Sequence, residues 1–259
     1  MIKKDMFTTT RKRLFCLLML WIPMVAAIAS TETAPAQADY QWLIAPYLWL
    51  PDVDGDIGMG PLSVPLDLSA VDIGGNLDAA FMGYLRYGND RQFFYAEGIG
   101  IRFRDREFKP FFNQAVDARV LMGELGYGRH YTLELPTARE VRFSPYIGLR
   151  HTRIDVEISS HDARLKADES WLDLAMGVIA EGPLRGKLSW AVKLDGAGFN
   201  IDKAQYYNLV AGFQYPVTKR STLVAGYRWT RFRAEPGGGN DLELELNGNG
   251  PQLGLMISL

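Results

Sequence analysis

Gln252-Leu253-Gly254-Leu255-Met256-Ile257-Ser258-Leu259 is an alternating strand that ends at the last residue of the sequence. Leu253, Leu255, Ile257 and Leu259 share one face at period two, and Gln252, Gly254, Met256 and Ser258 share the other. A strand with one greasy face and one small or polar face suits a soluble sandwich or a transmembrane barrel equally well. The rest of the chain decides between them.

Residues 1–38 read as an export segment rather than as part of the fold. Lys3, Lys4, Arg11, Lys12 and Arg13 form a basic start, Leu14 to Ala29 an apolar stretch, and Ala36-Gln37-Ala38 a cleavage site before Asp39, with Ala27-Ile28-Ala29 as a second site. The single cysteine, Cys16, lies in the apolar stretch after Leu14 and Phe15 and lacks the small residues a lipidated cysteine needs before it. Cleavage therefore leaves a mature chain, residues 39–259, without thiols, whose stability must come from burial and backbone pairing. Setting aside the five basic residues and the acidic Asp5 and Glu32 from totals of 28 and 30 leaves 23 against 28, a charge near -5 that argues against a nucleic-acid partner.

No window after Asp39 offers the uncharged 18 or more residues of a spanning helix. Mean hydropathy near zero does not argue against membrane residence, because a polar lumen cancels an apolar exterior in any sliding average. Period-two reading, with Gly, Asn, Asp and Pro as punctuation, predicts strands over 40–50, 79–87, 92–104, 116–131, 142–158, 169–181, 187–198, 205–215, 221–233 and 241–259. No helix of three turns is expected. The fold class is all-β: a transmembrane antiparallel up-and-down barrel of about ten strands, within a range of roughly eight to twelve.

Charges fall on the parity opposite the apolar faces, mostly in mid-strand: Arg86, Glu124, Arg150, Asp173, Lys193, Asp195 and Arg228. On the lipid face an Arg or Lys at mid-depth costs about 2–4 kcal/mol, so in a barrel these point inward. Arg86, Glu124, Arg150, Asp173, Lys193 and Arg228 are the expected interior charge network. Glu97 shares parity with Tyr95, Ile99 and Ile101, which leaves the facing of the third strand open. Aromatics near strand ends, among them Tyr40, Trp42, Tyr47, Trp49, Tyr206, Tyr207, Tyr215, Tyr227 and Trp229, suggest two interfacial girdles.

Connection lengths alternate. Asp52 to Asp78, Asp105 to Ala115, Ser159 to Asp168, Phe199 to Ala204 and Ala234 to Asn240 are mostly long or polar; Gly88 to Arg91, Thr132 to Val141, Gly182 to Gly186 and Pro216 to Arg220 are mostly short. Outer-membrane barrels have short periplasmic turns and longer outer loops, and an even strand count returns both ends to the periplasm.

Trp42-Leu43-Ile44-Ala45-Pro46-Tyr47-Leu48-Trp49, Gly226-Tyr227-Arg228 and Gly250-Pro251-Gln252-Leu253-Gly254-Leu255, with a looser match at Asp195-Gly196-Ala197-Gly198-Phe199, resemble in content and order a family of exported Gram-negative outer-membrane β-barrel proteins. The C-terminal strand also resembles the signal read by the barrel assembly machinery, with Gln252, Gly254, Ile257 and Leu259 in its positions and Leu259 in place of the usual aromatic end. The resemblance implies the cell outer membrane, with its lipid and lipopolysaccharide, as the setting, and assembly by that machinery.

Catalytic and metal patterns are thin. Ser159-Ser160-His161-Asp162 puts a base near a hydroxyl, with His151 further down the strand, yet chain neighbours seldom point at one another. Asp52, Asp54 and Asp56 around Gly55 lack the downstream Glu of a calcium loop, since Ser63 stands there. Gly237-Gly238-Gly239-Asn240 has no helix after it to cradle phosphate. The expectation is a non-enzymatic barrel with no cofactor, no metal and a charge-filled lumen, structural or interacting at the surface. A narrow passive channel for small solutes is the alternative, and a lipid-modifying barrel enzyme a second.

Overall fold

The computed structural model describes residues 39–59, 62–108, 114–134, 140–159, 164–199, 204–235 and 242–259. Ten strands form the wall: β1 (Gln41–Trp49), β4 (Leu77–Gly88), β5 (Gln92–Phe108), β6 (Gln114–Arg129), β8 (Glu140–Ser159), β9 (Arg164–Arg185), β10 (Leu188–Ala197), β11 (Ala204–Pro216), β12 (Ser221–Ala234) and β13 (Leu242–Ser258). Each pairs antiparallel with its neighbours in that order, and β13 returns to β1, with Ile44 opposite Ile257 and Trp49 opposite Gln252. The sheet is therefore closed where β1 meets β13, which removes its edges at that height. Both ends of the wall lie at one rim, where the Leu259 N–H donates to the Trp42 carbonyl. We call this the terminal rim, and the opposite one the far rim.

Four short elements complete the described chain: β2 (Asp52–Met59), β3 (Leu62–Leu68), α1 (Ala70–Gly75) and β7 (Tyr131–Glu134). The segment from Asp52 to Asp78, expected as a long loop, is instead a hairpin followed by a helical turn. β2 pairs with the first half of β13, Val53 opposite Gly248, so β13 meets β2 toward the far rim and β1 toward the terminal rim. Leu50-Pro51 is the break between them, where the Leu50 N–H donates to the Pro251 carbonyl. Ser69 caps α1 by accepting from the Asp72 N–H, and the Asp72 carboxylate accepts from the Ser69 N–H in return. The expected turn from Thr132 to Val141 is shorter, because β7 pairs with the start of β8.

The outer wall is apolar through the middle. Phe81, Leu125, Leu149, Leu172, Leu194, Phe213 and Leu253 are all more than half exposed. So large an apolar surface has no counterpart on a soluble monomer. On β11 the outward row runs Tyr207, Leu209, Ala211, Phe213, Tyr215, with both tyrosines exposed. That length matches the roughly 9–11 residues a tilted strand uses to cross hydrocarbon. Tyr40 and Trp42 pack against Tyr87 at the terminal rim, as a girdle would. Toward the far rim the outward face turns charged, with Arg102 paired to Asp117, Arg153 to Asp168 and Arg231 to Glu245.

The inner face reverses at about the same height. Beyond it, Val116, Ile154, Val156, Ala167, Leu244 and Leu66 form a buried apolar core joined by Phe103, Trp171 and Phe232. The wall thus continues past its lipid-facing band as a barrel with a water-facing charged exterior and an apolar interior. This resolves the third strand of the sequence reading: Tyr95 and Ile99 are buried inside, Glu97 lies between them, and Arg102 points out. The outward face at the middle of that strand is Ala96, Gly98 and Gly100, and the Phe81 ring from β4 lies over Gly98 and Gly83. A small outward face had concealed its own direction.

Candidate functional site

Polar side chains from seven wall strands meet across the lumen at the depth of the apolar band. Arg150 on β8 donates through Nε to Glu124 on β6 at 2.7 Å and through Nη2 to Asp195 on β10 at 3.0 Å. Asp195 accepts from the Asn208 amide on β11 at 2.5 Å, and Asn208 in turn accepts from Arg228 Nε on β12 at 2.7 Å. Arg228 also donates to the Tyr206 hydroxyl at 2.8 Å and the Tyr47 hydroxyl at 3.4 Å. Tyr47 on β1 donates to Glu97 on β5 at 2.7 Å, and Lys193 on β10 closes the circuit by donating to Glu97 at 2.5 Å. Tyr95 adds a hydrogen bond to Glu124 at 2.5 Å.

Arg150, Lys193 and Arg228 balance Glu97, Glu124 and Asp195, so the layer is neutral as a whole. Glu124, Arg150, Asp195, Asn208 and Arg228 are each no more than 5 % exposed. Buried charges persist only when paired and hydrogen-bonded, and here each has a partner on another strand. The guanidinium of Arg150 lies 4.1 Å from the centre of the Tyr206 ring and that of Arg228 4.9 Å from Trp49, which fills their non-polar faces. The gap left beside Glu97, Glu124, Arg150 and Arg228 is about 10 Å³, at the limit for one water.

An aromatic layer lies in the lumen toward the terminal rim. Phe93, Tyr95 and Tyr146 are buried there with Tyr84 and Ile179 against them. Glycines on the facing strands make the room: a Cβ on Gly148 would stand 2.6 Å from the Tyr95 hydroxyl, and one on Gly177 2.6 Å from the Tyr146 ring. Beyond the aromatics, His130 stacks on Phe93 at 4.7 Å and shares a hydrogen bond with buried Ser144 at 2.7 Å. His130 lies in the turn after β6, outside the spanning segments, and burial near Arg86 and Arg142 lowers its pKa to about 4.

Of the expected network, Glu124, Arg150, Lys193 and Arg228 meet in this layer. Asp173 stands across from Arg150 in the β8–β9 register. Arg86 does face inward but sits apart, toward the terminal rim, 6.0 Å from the Phe93 ring. Period-two reading did not assign Glu97, Tyr47, Tyr95, Tyr206 and Asn208 to the layer. Asn208, a lone amide between Tyr207 and Leu209, carried a legible signal. Tyr47, Trp49 and Tyr206, expected in the girdles, are lumen residues instead, because their hydroxyls or rings serve the buried charges.

The remaining candidates separate. Asp52, Asp54 and Asp56 lie on the exposed face of β2, where Asp52 accepts from the Ala70 N–H and Asp54 from the Asn247 amide. His151 is exposed on the outer wall, in the same row as Ile147 and Leu149. Ser160, His161, Asp162 and residues 237–240 lie outside the described residues. Gln252 and Gly254 pair with Trp49 and Tyr47, and Ile257 with Ile44, so the C-terminal pattern is the seam strand itself.

A closed antiparallel wall, an apolar belt bounded by tyrosines and a polar layer inside define this chain as a β-barrel of the membrane-spanning, up-and-down class. No protein family's sequence profile matches the chain, and no curated protein is similar to it in sequence. Among solved structures it is similar to the Neisserial surface protein A, with 12% identity, 85% of this chain and 98% of that chain covered, and a TM-score of 0.34. It is also similar to the outer membrane protease OmpT from Escherichia coli, with 12% identity, coverage of 89% and 100%, and a TM-score of 0.41. A third is the outer membrane protein AlkL, with 14% identity, coverage of 89% and 97%, and a TM-score of 0.35.

Proposed function

We propose that this protein is a sealed, non-enzymatic outer-membrane barrel with a structural or interaction role at the cell surface. In this reading residues 1–38 are a cleaved export signal, the terminal rim faces the periplasm, and the β2–β3 hairpin and α1 are presented outside. The barrel would rest among outer-membrane lipid and lipopolysaccharide after delivery by the barrel assembly machinery. The carrying observation is the neutral layer from Glu97 to Arg228, backed by Phe93, Tyr95 and Tyr146.

A water-filled pore needs a continuous polar path, and here the charges are consumed by one another across the lumen. The passive-channel reading is therefore the weaker one. A lipid-modifying enzyme would need a nucleophile and base in reach of each other at the far rim, and exposed His151 points away from the lumen. Purified mature protein in a planar lipid bilayer should show no discrete conductance steps in molar potassium chloride. Regular steps that disappear on heat denaturation would replace this reading with the channel.

A further inference from the structure

The buried charge layer has an apolar counterpart above it. Between the layer and the far rim lies a cavity of about 280 Å³, lined by Ile99, Phe103, Val120, Ile154, Phe232 and Leu246 among others, with Trp49 at its floor and Ile73 of α1 at its side. Close-packed interiors leave few voids larger than a water. This one is about twice the 150 Å³ apolar cavity that takes up benzene. Its wall from Ile99 to Phe103 runs about 13 Å along the strand. The space is almost without polar partners.

The wall beside it has a seam. β1 pairs with β4 only from Pro46–Gly83 to Gln41–Gly88, so the start of β4, Leu77 to Met82, pairs with β5 alone. β3 pairs with β2 and with no other strand among the described residues. α1 occupies the interval between β3 and β4. It is held by the Ala70 N–H on Asp52 at one end and by the Arg104 N–H on the Asn76 carbonyl at the other. Ala79 and Ala80, beside a register shift at the start of β4, are both exposed, so this stretch of β4 is bare toward the seam. Just below, Phe81 is 69% exposed on the apolar belt, so the seam meets the wall at the edge of the lipid.

We propose that this cavity is a binding site for a single unbranched hydrocarbon chain, which enters through the seam between β3 and β4 beside α1. A chain fits the volume and the roughly 13 Å length of the β5 wall, and it needs none of the hydrogen bonds that the lining cannot supply. Two sources carry this chemistry, an acyl chain of the surrounding lipid and a free alkane-like molecule. The site sits in the far-rim extension and stands whether or not the lumen conducts.

Bromine quenches an indole at contact, and Trp49 lines the cavity. A variant that keeps Trp49 and replaces the other tryptophans with Phe is reconstituted in phosphatidylcholine vesicles, with a Trp229-only variant as the lipid-facing control. Added 1-bromodecane should quench Trp49 along a saturable curve while quenching Trp229 in proportion to membrane concentration. In a second arm, vesicles of phosphatidylcholine brominated near the chain end report a lipid chain in the cavity. Ala118→Phe, which fills the space from β6, should abolish the saturable component in whichever arm shows it, by at least tenfold in apparent affinity. Val120→Phe serves as a second filling variant if the first loses the heat-shifted band of a folded barrel. Absence of a saturable component in both arms, or its persistence in a folded filled variant, would overturn the proposal. Quenching by bromodecane alone identifies a free hydrocarbon, and quenching in the brominated lipid alone a bilayer chain.

Discussion

Arg150 is the residue on which the buried layer turns. Its guanidinium bridges Glu124 and Asp195, and at 5 % exposure it has no water to replace either partner. Arg150→Met keeps much of the volume but strands two carboxylates, and losing one side of a buried pair costs about 3–5 kcal/mol. Urea unfolding of the detergent-solubilised barrel should show that loss, while a lipid-facing control such as Leu149→Met should stay within about 1.5 kcal/mol of the parent. Four members of the layer were legible because a charge opposite an apolar face has one sensible direction in lipid. Glu97 was not, since Tyr95, Ile99 and Ile101 share its face and an apolar face usually means outside. Tyr47 and Tyr206 were illegible for a related reason: a tyrosine near a strand end suits an interface and a buried hydroxyl donor equally well.

Among the elements, β13 carries the closure. It pairs with β12 along one side and with β2 and then β1 along the other, so its last residues complete the cylinder. Deleting Met256 to Leu259 removes the Ile44–Ile257 and Leu43–Ser258 pairs and the bond from Leu259 to Trp42. Each backbone group then left unpaired in hydrocarbon costs several kcal/mol. Cell fractionation should find the truncated chain in the periplasm as a degradation ladder, whereas Leu259→Phe should reach the outer membrane at least as well as the parent. Full heat-shifted insertion of the truncation would separate closure from the final four residues. The ten strands themselves were readable from period two. The β2–β3 hairpin was not, because Asp52, Asp54, Gly55, Asp56 and Pro65 are residues that strands usually avoid. Gly55, at φ 146°, sits where a Cβ would strike the Glu245 carbonyl, so the same glycine that suggested a loop is what lets β2 lie against β13.

At the scale of the molecule, the two ends of the wall and the short turns share one rim, which makes orientation testable. Single cysteines at Asp54, on β2, and at Asn89 and Arg185, in or beside the terminal-rim turns, probe the two sides of a chain in which Cys16, within the proposed export segment, is the sole native thiol. On intact cells an impermeant maleimide should label position 54 and leave 89 and 185 unreacted until the outer membrane is permeabilised. The opposite pattern would invert the barrel. The sequence could not disclose that the two faces of β5, β6 and β8 exchange polarity while every residue keeps its parity, because period two tells which residues travel together and not what surrounds them when lipid gives way to water. That change has a mechanical consequence. On β6 the outward row passes directly from Leu121 to Arg119; if the barrel sank by one pair of residues Arg119 would enter hydrocarbon, and if it rose Leu121 would meet water. A single helix relieves such a mismatch by tilting, whereas a cylinder closed from β1 round to β13 moves as one body. The protein therefore keeps one depth and one hydrophobic thickness, and in a thicker or thinner bilayer it is the lipid beside Leu121 that must compress or stretch to meet it.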